Sequence, residues 1–172
     1  MDLRYPIGTY QPAVFSKELL AERLADIRFL PGLLERSLEN LDAGQLHTPY
    51  REGGWTLQQV VHHICDSHMN ALCRLKLTLT EEHPTVRPYN EVAWSNTHEY
   101  KLPVNLSVTM IHVLHAKLYD LFSGIEEKDW TRTYYHPESQ KDFDLWYLLG
   151  MYAWHGKHHV AHITSLRERM GW

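Results

Sequence analysis

Apolar residues recur at three- and four-residue intervals in four separate stretches of the chain, the spacing of helices that bury one face. After Ser16, a residue suited to cap a helix, come Leu20, Leu24, Ile27, Leu34, Leu38 and Leu41. Pro31-Gly32 falls inside this run and predicts a kink or break, because proline removes a backbone donor. A second helix is predicted from Thr56 over about 56–81, with Leu57, Val61, Ile64, Leu72 and Leu75 on one side. A third is predicted from about Val104 to Phe122, stopped by Ser123-Gly124, and a last from about Asp142 to Arg169. The seam of that last helix reads Leu145, Leu148, Tyr152, His159, Ile163 and Leu166.

The intervening segments carry no sustained period. Residues 1–15, with Pro6, Gly8 and Pro12, predict an extended arm on the surface, and 42–55 is a connector of turn formers. Residues 83–103 hold three prolines and predict a loop of about twenty residues, a length usually reserved for function or mobility. A further irregular stretch, 125–141, precedes the last helix. With no clear strand pattern and no internal repeat, the expectation is all-α: one domain over 1–172, an antiparallel-type four-helix bundle with long inter-helix loops.

Composition narrows the function classes. A formal charge of −4 and the lack of any Lys/Arg run argue against a nucleic-acid partner. No apolar stretch reaches the roughly 18 residues of a membrane span, and residues 1–15 lack the apolar run of a secretion signal, so a cytoplasmic protein is expected. Cys65 and Cys73 lie eight apart on one predicted helix, roughly 12 Å between Cα atoms, too far for a disulfide. The 13 histidines change the picture most, since imidazole is the commonest metal ligand.

Two H-x-x-x-H pairs, 155/159 and 158/162, sit in Trp154–His162. Residues four apart share a helix face, so two imidazoles can reach one ion. Random placement of 13 histidines in 172 positions already gives about one such pair, so spacing alone is weak. Helical phase adds to it. With His159 at zero, Leu148, Tyr152 and Leu166 fall within about 20° and His155 about 40° away, whereas His162 is about 60° and His158 about 100° off. His155 and His159 therefore point inward, where they either bond core carbonyls and tyrosines or hold an ion. On the second helix His63 shares a stripe with Gln59, Ser67, Asn70 and Arg74, which is either a solvated face or the wall of a polar pocket with Ser67 and Asn70 in it. Periodicity does not choose between His62 and His63 as a third ligand.

Several segments together resemble the DinB/YfiT-like family of bacterial metal-binding four-helix proteins, most closely its YfiT-type members. They are Arg4–Gly8, Thr48–Thr56, Gln59–His63, Asp66–Asn70, Arg87-Pro88-Tyr89, His136-Pro137, Trp154–His162 and Arg169–Trp172, and they span essentially the whole chain. The resemblance implies one divalent ion per chain, Zn or Ni, held by His63, counted from Trp55-Thr56, together with His155 and His159. Where many members read Arg-Gly-Gln after the last ligand, this chain has Val160-Ala161-His162.

The resemblance further implies a metal-dependent hydrolase acting on a small molecule. The related alternative is a bacillithiol-type S-transferase joining a low-molecular-weight thiol to an electrophile. A homodimer is also expected. Three neutral imidazoles leave a coordination position open for acidified water or for a thiolate. Asp66, three after His63, and His162, three after His159, are the candidates for a general base. A non-catalytic metal module would instead close the site with His162 or Asp66 as fourth ligand. The 83–103 segment, with Trp94, His98 and Tyr100, is a candidate cover for the pocket or a dimer contact.

Overall fold

The Ser16 hydroxyl accepts the Leu19 amide at 3.1 Å and begins helix α1, Lys17–Leu38, in the computed structural model, which describes residues 2–172. Thr56 and Gln59 form a reciprocal capping box that starts α3, Leu57–Thr80, after a one-turn α2 at Ala43–Leu46. α5, Val104–Ser123, follows Pro103 and ends at Gly124. Asp144 caps α6, Leu145–Met170, which closes on Gly171 in the left-handed conformation, φ 71°. The 83–103 segment contains the single turn α4, Glu91–Trp94, and a 3₁₀ turn at His98–Lys101.

The stretch 125–141 is more ordered than its sequence predicts. After a 3₁₀ turn it forms β1, Thr133–His136, paired antiparallel with β2, Lys141–Asp144, with Thr133 opposite Asp144. Four-residue strands are too short to display a period of two, and this pair is stable through its neighbours. Val86 and Pro84 exchange backbone hydrogen bonds with Tyr135 at 3.0 and 2.9 Å, which ties the 83–103 segment to the hairpin.

The long helices form a four-helix bundle in which α1 packs on α5 and α6, and α3 packs on the same two. The first two long helices in sequence thus sit diagonally, as do the last two, whereas an up-and-down bundle would make successive helices neighbours. Short turns cannot join diagonal helices, which accounts for the long connections from α1 to α3 and from α5 to α6, whereas the 83–103 segment joins the neighbours α3 and α5.

The core is split in two. Leu30, Leu34, Leu57, Val61, Ile64, Ile111, Ile163 and Leu166 fill one end, and Ile27, Leu75, Leu118, Phe122, Trp146, Leu149 and Tyr152 the other. Between them lies a layer of buried histidines: His63 and His68 from α3, His115 from α5, and His159 and His162 from α6, with half-buried His155 among them.

Pro31 neither breaks nor ends α1, which is continuous through it. A proline at 31 leaves the carbonyl four residues earlier, that of Ile27, without its helical donor. His115 Nδ1 meets that oxygen at 2.6 Å, so the penalty of an unpaired buried carbonyl is removed from across the bundle.

α1 packs tightly on α6 at Gly156, where an added Cβ would stand 2.7 Å from Leu30 Cδ1 and closer still to Cδ2. Leu30 is itself buried in the core and has no free space to yield. Gly156→Ala is expected to lower unfolding free energy by about 1–3 kcal/mol despite the better helix propensity of alanine. Urea denaturation of the two proteins measures this.

Candidate metal centre

The histidine layer brings His63, His155 and His159 together, one ligand atom of each lying within 4.8 Å of the others. Their Nε2 atoms face one another. His155 Nε2 is 3.3 Å from His63 Nε2 and 3.2 Å from His159 Nε2. α3 and α6 are adjacent in the bundle, and the four-residue spacing on α6 puts both of its rings on the face toward α3.

Hydrogen bonds behind these rings dictate where the protons sit. The Ile27 carbonyl can only accept, so His115 donates to it from Nδ1 and, being neutral, accepts at Nε2. His115 Nε2 is 2.8 Å from His68 Nδ1, which must then be the donor, leaving His68 Nε2 an acceptor. That nitrogen lies 3.1 Å from His155 Nδ1, which therefore carries the His155 proton and leaves a bare lone pair on Nε2. A second chain does the same for His159. Arg4 O accepts from His162 Nε2 at 3.2 Å, and His162 Nδ1 accepts from His159 Nδ1 at 3.3 Å, so His159 Nε2 is also bare. His63 is held differently, by packing against Trp55 with ring centroids 4.6 Å apart, and its buried Nδ1 has no partner.

Two lone pairs aimed at each other across 3.2 Å, with a third imidazole nitrogen beside them, are repulsive in the absence of a cation. The donor set therefore fits a divalent ion: three neutral imidazoles, two of them in a fixed tautomer. Neutrality follows from burial. Loss of water, followed by neighbouring histidines, brings His63 down to about 4 and holds His68, His155 and His159 well below the ordinary imidazole range.

His158, His159 and His162 form a second close group. In it, His159 contributes its protonated nitrogen to the bond with His162, so the atoms are already committed to one another. His162 is also stacked on Tyr50, centroids 4.0 Å apart. His62 is fully engaged elsewhere. Its ring nitrogens meet Ser107 Oγ at 2.7 Å and Leu102 O at 3.0 Å, which fastens the end of the 83–103 segment to α3.

Asp66 is not brought to the three Nε2 atoms. Its carboxylate accepts the Tyr100 hydroxyl at 2.7 Å, and burial raises its pKa. Asn70 is turned back on its own helix, donating to Asp66 O at 2.8 Å. Ser67 lines a cavity of about 740 Å³ together with Arg74 and His155, so this part of the α3 stripe faces a polar pocket. A second cavity of about 570 Å³ reaches His63, His155, His159 and His162 from the other side. Glu91 and Val92 of α4 line both cavities, which makes the 83–103 segment a wall of the site. The N-terminal arm also forms part of it, since the Arg4 carbonyl holds His162 and Arg4 and Tyr5 line the second cavity, while Ala13 O accepts Trp146 Nε1–H at 2.6 Å and ties the arm to the core.

The sequence pattern singled out neither His68 and His115 nor Glu91. His115 lies on the phase of Ile111 and Leu118, and an imidazole on an apolar seam was the signal available. Glu91 stands at the rim of the cavities with its surface open to solvent. The surrounding protein and then nearby Glu138 raise its carboxyl above the usual range.

Comparison with known proteins agrees with this architecture. The model of the DinB superfamily matches residues 26–163. A Bacillus mycoides (strain KBAB4) protein named "Putative metal-dependent hydrolase" is 47% identical over 172 residues, covering 99% of each chain. A Bacillus cereus (strain B4264) protein of the same description is 47% identical over 173 residues. The structure of YfiT from Bacillus subtilis, described as "a probable metal-dependent hydrolase with an unusual four-helix bundle topology", superposes with a TM-score of 0.97 at 42% identity, over 100% of this chain and 99% of that one. The four-helix bundle protein TT2238 shares the fold at a TM-score of 0.60 and 18% identity, over 85% of this chain and 98% of that one.

Two predictions follow from the histidine chains. His68→Leu removes the acceptor behind His155 without touching a candidate ligand, and metal affinity is expected to fall about 10–100-fold while the helical circular dichroism is kept. Competitive titration with a chromogenic chelator measures it. The second concerns acid. Burial takes His115 to about 4, against 6.5 when unfolded. Above pH 6.5 both states are neutral. As pH falls through the window from 6.5 to about 4, only the unfolded chain gains this proton, so the folded state loses about 1.4 kcal/mol per pH unit. Unfolding of chelator-treated protein between pH 7.5 and 4.5 is expected to show this loss, with a slope shallower by about one proton in His115→Gln.

Proposed function

The chain belongs to the DinB superfamily, and on that footing we propose that it is a metal-dependent hydrolase of small molecules with one divalent cation, Zn or Ni, held by His63, His155 and His159. The observation that carries the proposal is the facing pair of unprotonated Nε2 atoms on His155 and His159, with His63 Nε2 beside them. The names given to its relatives point the same way. When bound, the cation supplies Lewis acidity, which polarises a carbonyl and acidifies water.

The chain's own residues supply the rest. His68 with His115, and His162 with the Arg4 carbonyl, hold the ligand rings in one tautomer and one orientation. Glu91 is the proton carrier. It borders both cavities that His155 also lines, and its raised pKa brings it closer to neutrality, where a general base works best. Glu91 takes the proton of the attacking water and returns it to the leaving group. Asp66, engaged by Tyr100, and His162, engaged by Arg4 and His159, hold structure instead. The turn α4 and the N-terminal arm narrow access for bulk water.

Elemental analysis of tag-free protein, paired with a screen of esters and amides, tests this. About one Zn or Ni per chain is expected in the wild type and in Glu91→Gln, and none in His155→Ala. Glu91→Gln is expected to lower kcat about 10²–10⁴-fold with metal content unchanged. Full metal content in His155→Ala, or turnover confined to thiol–electrophile pairs, overturns the proposal.

A further inference from the structure

Arg74 has no place in the metal centre and, among the described residues, no ion-pair partner. A guanidinium carries five N–H donors and keeps its charge at any physiological pH. In the structure one of them is used: Nη1 donates to the Tyr152 hydroxyl at 3.2 Å. Nε is buried and has no partner at all. Among the described residues no carboxylate forms an ion pair with Arg74. A half-buried cation with unused donors costs stability unless something outside the chain completes it.

The cavity wall that holds Arg74 also holds His155, and Tyr152, which Arg74 contacts, is one turn before His155 on α6, about 5 Å along the helix. The charge of Arg74 acts within this cavity, opposing the burial that raises Tyr134 and adding to the burial that lowers His136. Tyr134, Phe143, Tyr147 and Met151 give the remaining wall an apolar and aromatic character. Glu91 and Glu138 stand on the same cavity, and their charges repel a dianion more than a monoanion.

We propose that Arg74 is the anchor of a substrate subsite for a carboxylate, borne on an apolar or aromatic body a few bonds from the group that reaches His155. Arg74 binds the carboxylate with the terminal N–H groups that Tyr152 leaves unused, as a planar pair of charge-assisted hydrogen bonds, while Tyr152 holds the guanidinium in place. Arg74 sets which molecules bind and takes no part in bond breaking. The proposal rests on the hydrolase reading for what happens after binding, but the binding itself does not require the metal.

Binding of 4-phenylbutanoate, of the uncharged 4-phenylbutan-1-ol and of 3-phenylpropyl phosphate is measured by calorimetry or NMR titration. The proteins are wild type, Arg74→Gln and Arg74→Lys, each as the metal-loaded and the chelator-treated form with metal content determined. The carboxylate is expected to bind about tenfold or more tightly than the alcohol in both forms of the wild type. Arg74→Gln is expected to lose that preference with metal content unchanged, and Arg74→Lys to keep part of it, because a lysine retains the charge without the planar pair. A carboxylate preference that survives in Arg74→Gln, its absence from the wild type, or tighter binding of the phosphate overturns the subsite. If the protein holds no metal, the hydrolase reading fails, while the chelator-treated comparison still decides the subsite.

Discussion

The hydrogen bond from His115 to the Ile27 carbonyl is the constraint on which the centre of this protein depends. That oxygen is available because Pro31, one turn later, has no N–H to offer it. A carbonyl accepts and never donates, so the bond fixes one proton, and each neutral ring in turn fixes the next until His155 presents a bare nitrogen to the middle of the bundle. Had the first acceptor been a hydroxyl, able to donate as well as accept, the direction of the chain would have been undetermined. A backbone carbonyl freed by proline makes it unambiguous.

The same layer explains the shape of the core. Histidines fully removed from water would be costly in an unbroken apolar interior, and here the ring nitrogens behind the facing Nε2 atoms of His155 and His159 are paired with another ring or a carbonyl. The two apolar clusters on either side hold the four helices together, and the polar layer between them needs only geometry, not hydrophobic stabilisation. Diagonal placement of successive long helices then forces long connections. The arm that carries Arg4, and the segment carrying Glu91 that joins the neighbouring helices α3 and α5, form walls of the site.

The two sides of the site differ in character. Toward the N-terminal arm the cavity is lined by histidines with Tyr50 and Trp55 above them, and toward the hairpin it is lined by aromatic rings and a lone guanidinium. His155 belongs to both. Such an arrangement suits a centre where a reactive group is presented from one side and the body of the substrate is held from the other. The hairpin β1–β2, which the periodicity of the sequence did not predict, supplies Tyr134, His136 and Phe143 to this second side.

By itself the sequence determined the four long helices, because a 3.6-residue apolar period and strong capping residues such as Ser16, Thr56 and Asp144 act locally. The inward direction of His155 and His159 was legible for the same reason, since phase on one helix needs no knowledge of its neighbours. The choice of His63 over His62 came through resemblance, as both lie on one short stretch and only the position of α6 distinguishes them. Tertiary structure alone decided the rest. The break expected at Pro31 does not occur, and its orphaned carbonyl finds a donor on α5, a partner 88 positions away in the chain. Asp66 is diverted to Tyr100 and Asn70 to its own helix, while Glu91 arrives from a loop with no periodicity to follow. Helix-forming preferences are local and additive along a sequence, whereas the partner of a buried polar group is set by which helices become neighbours, and a one-dimensional pattern carries no record of that.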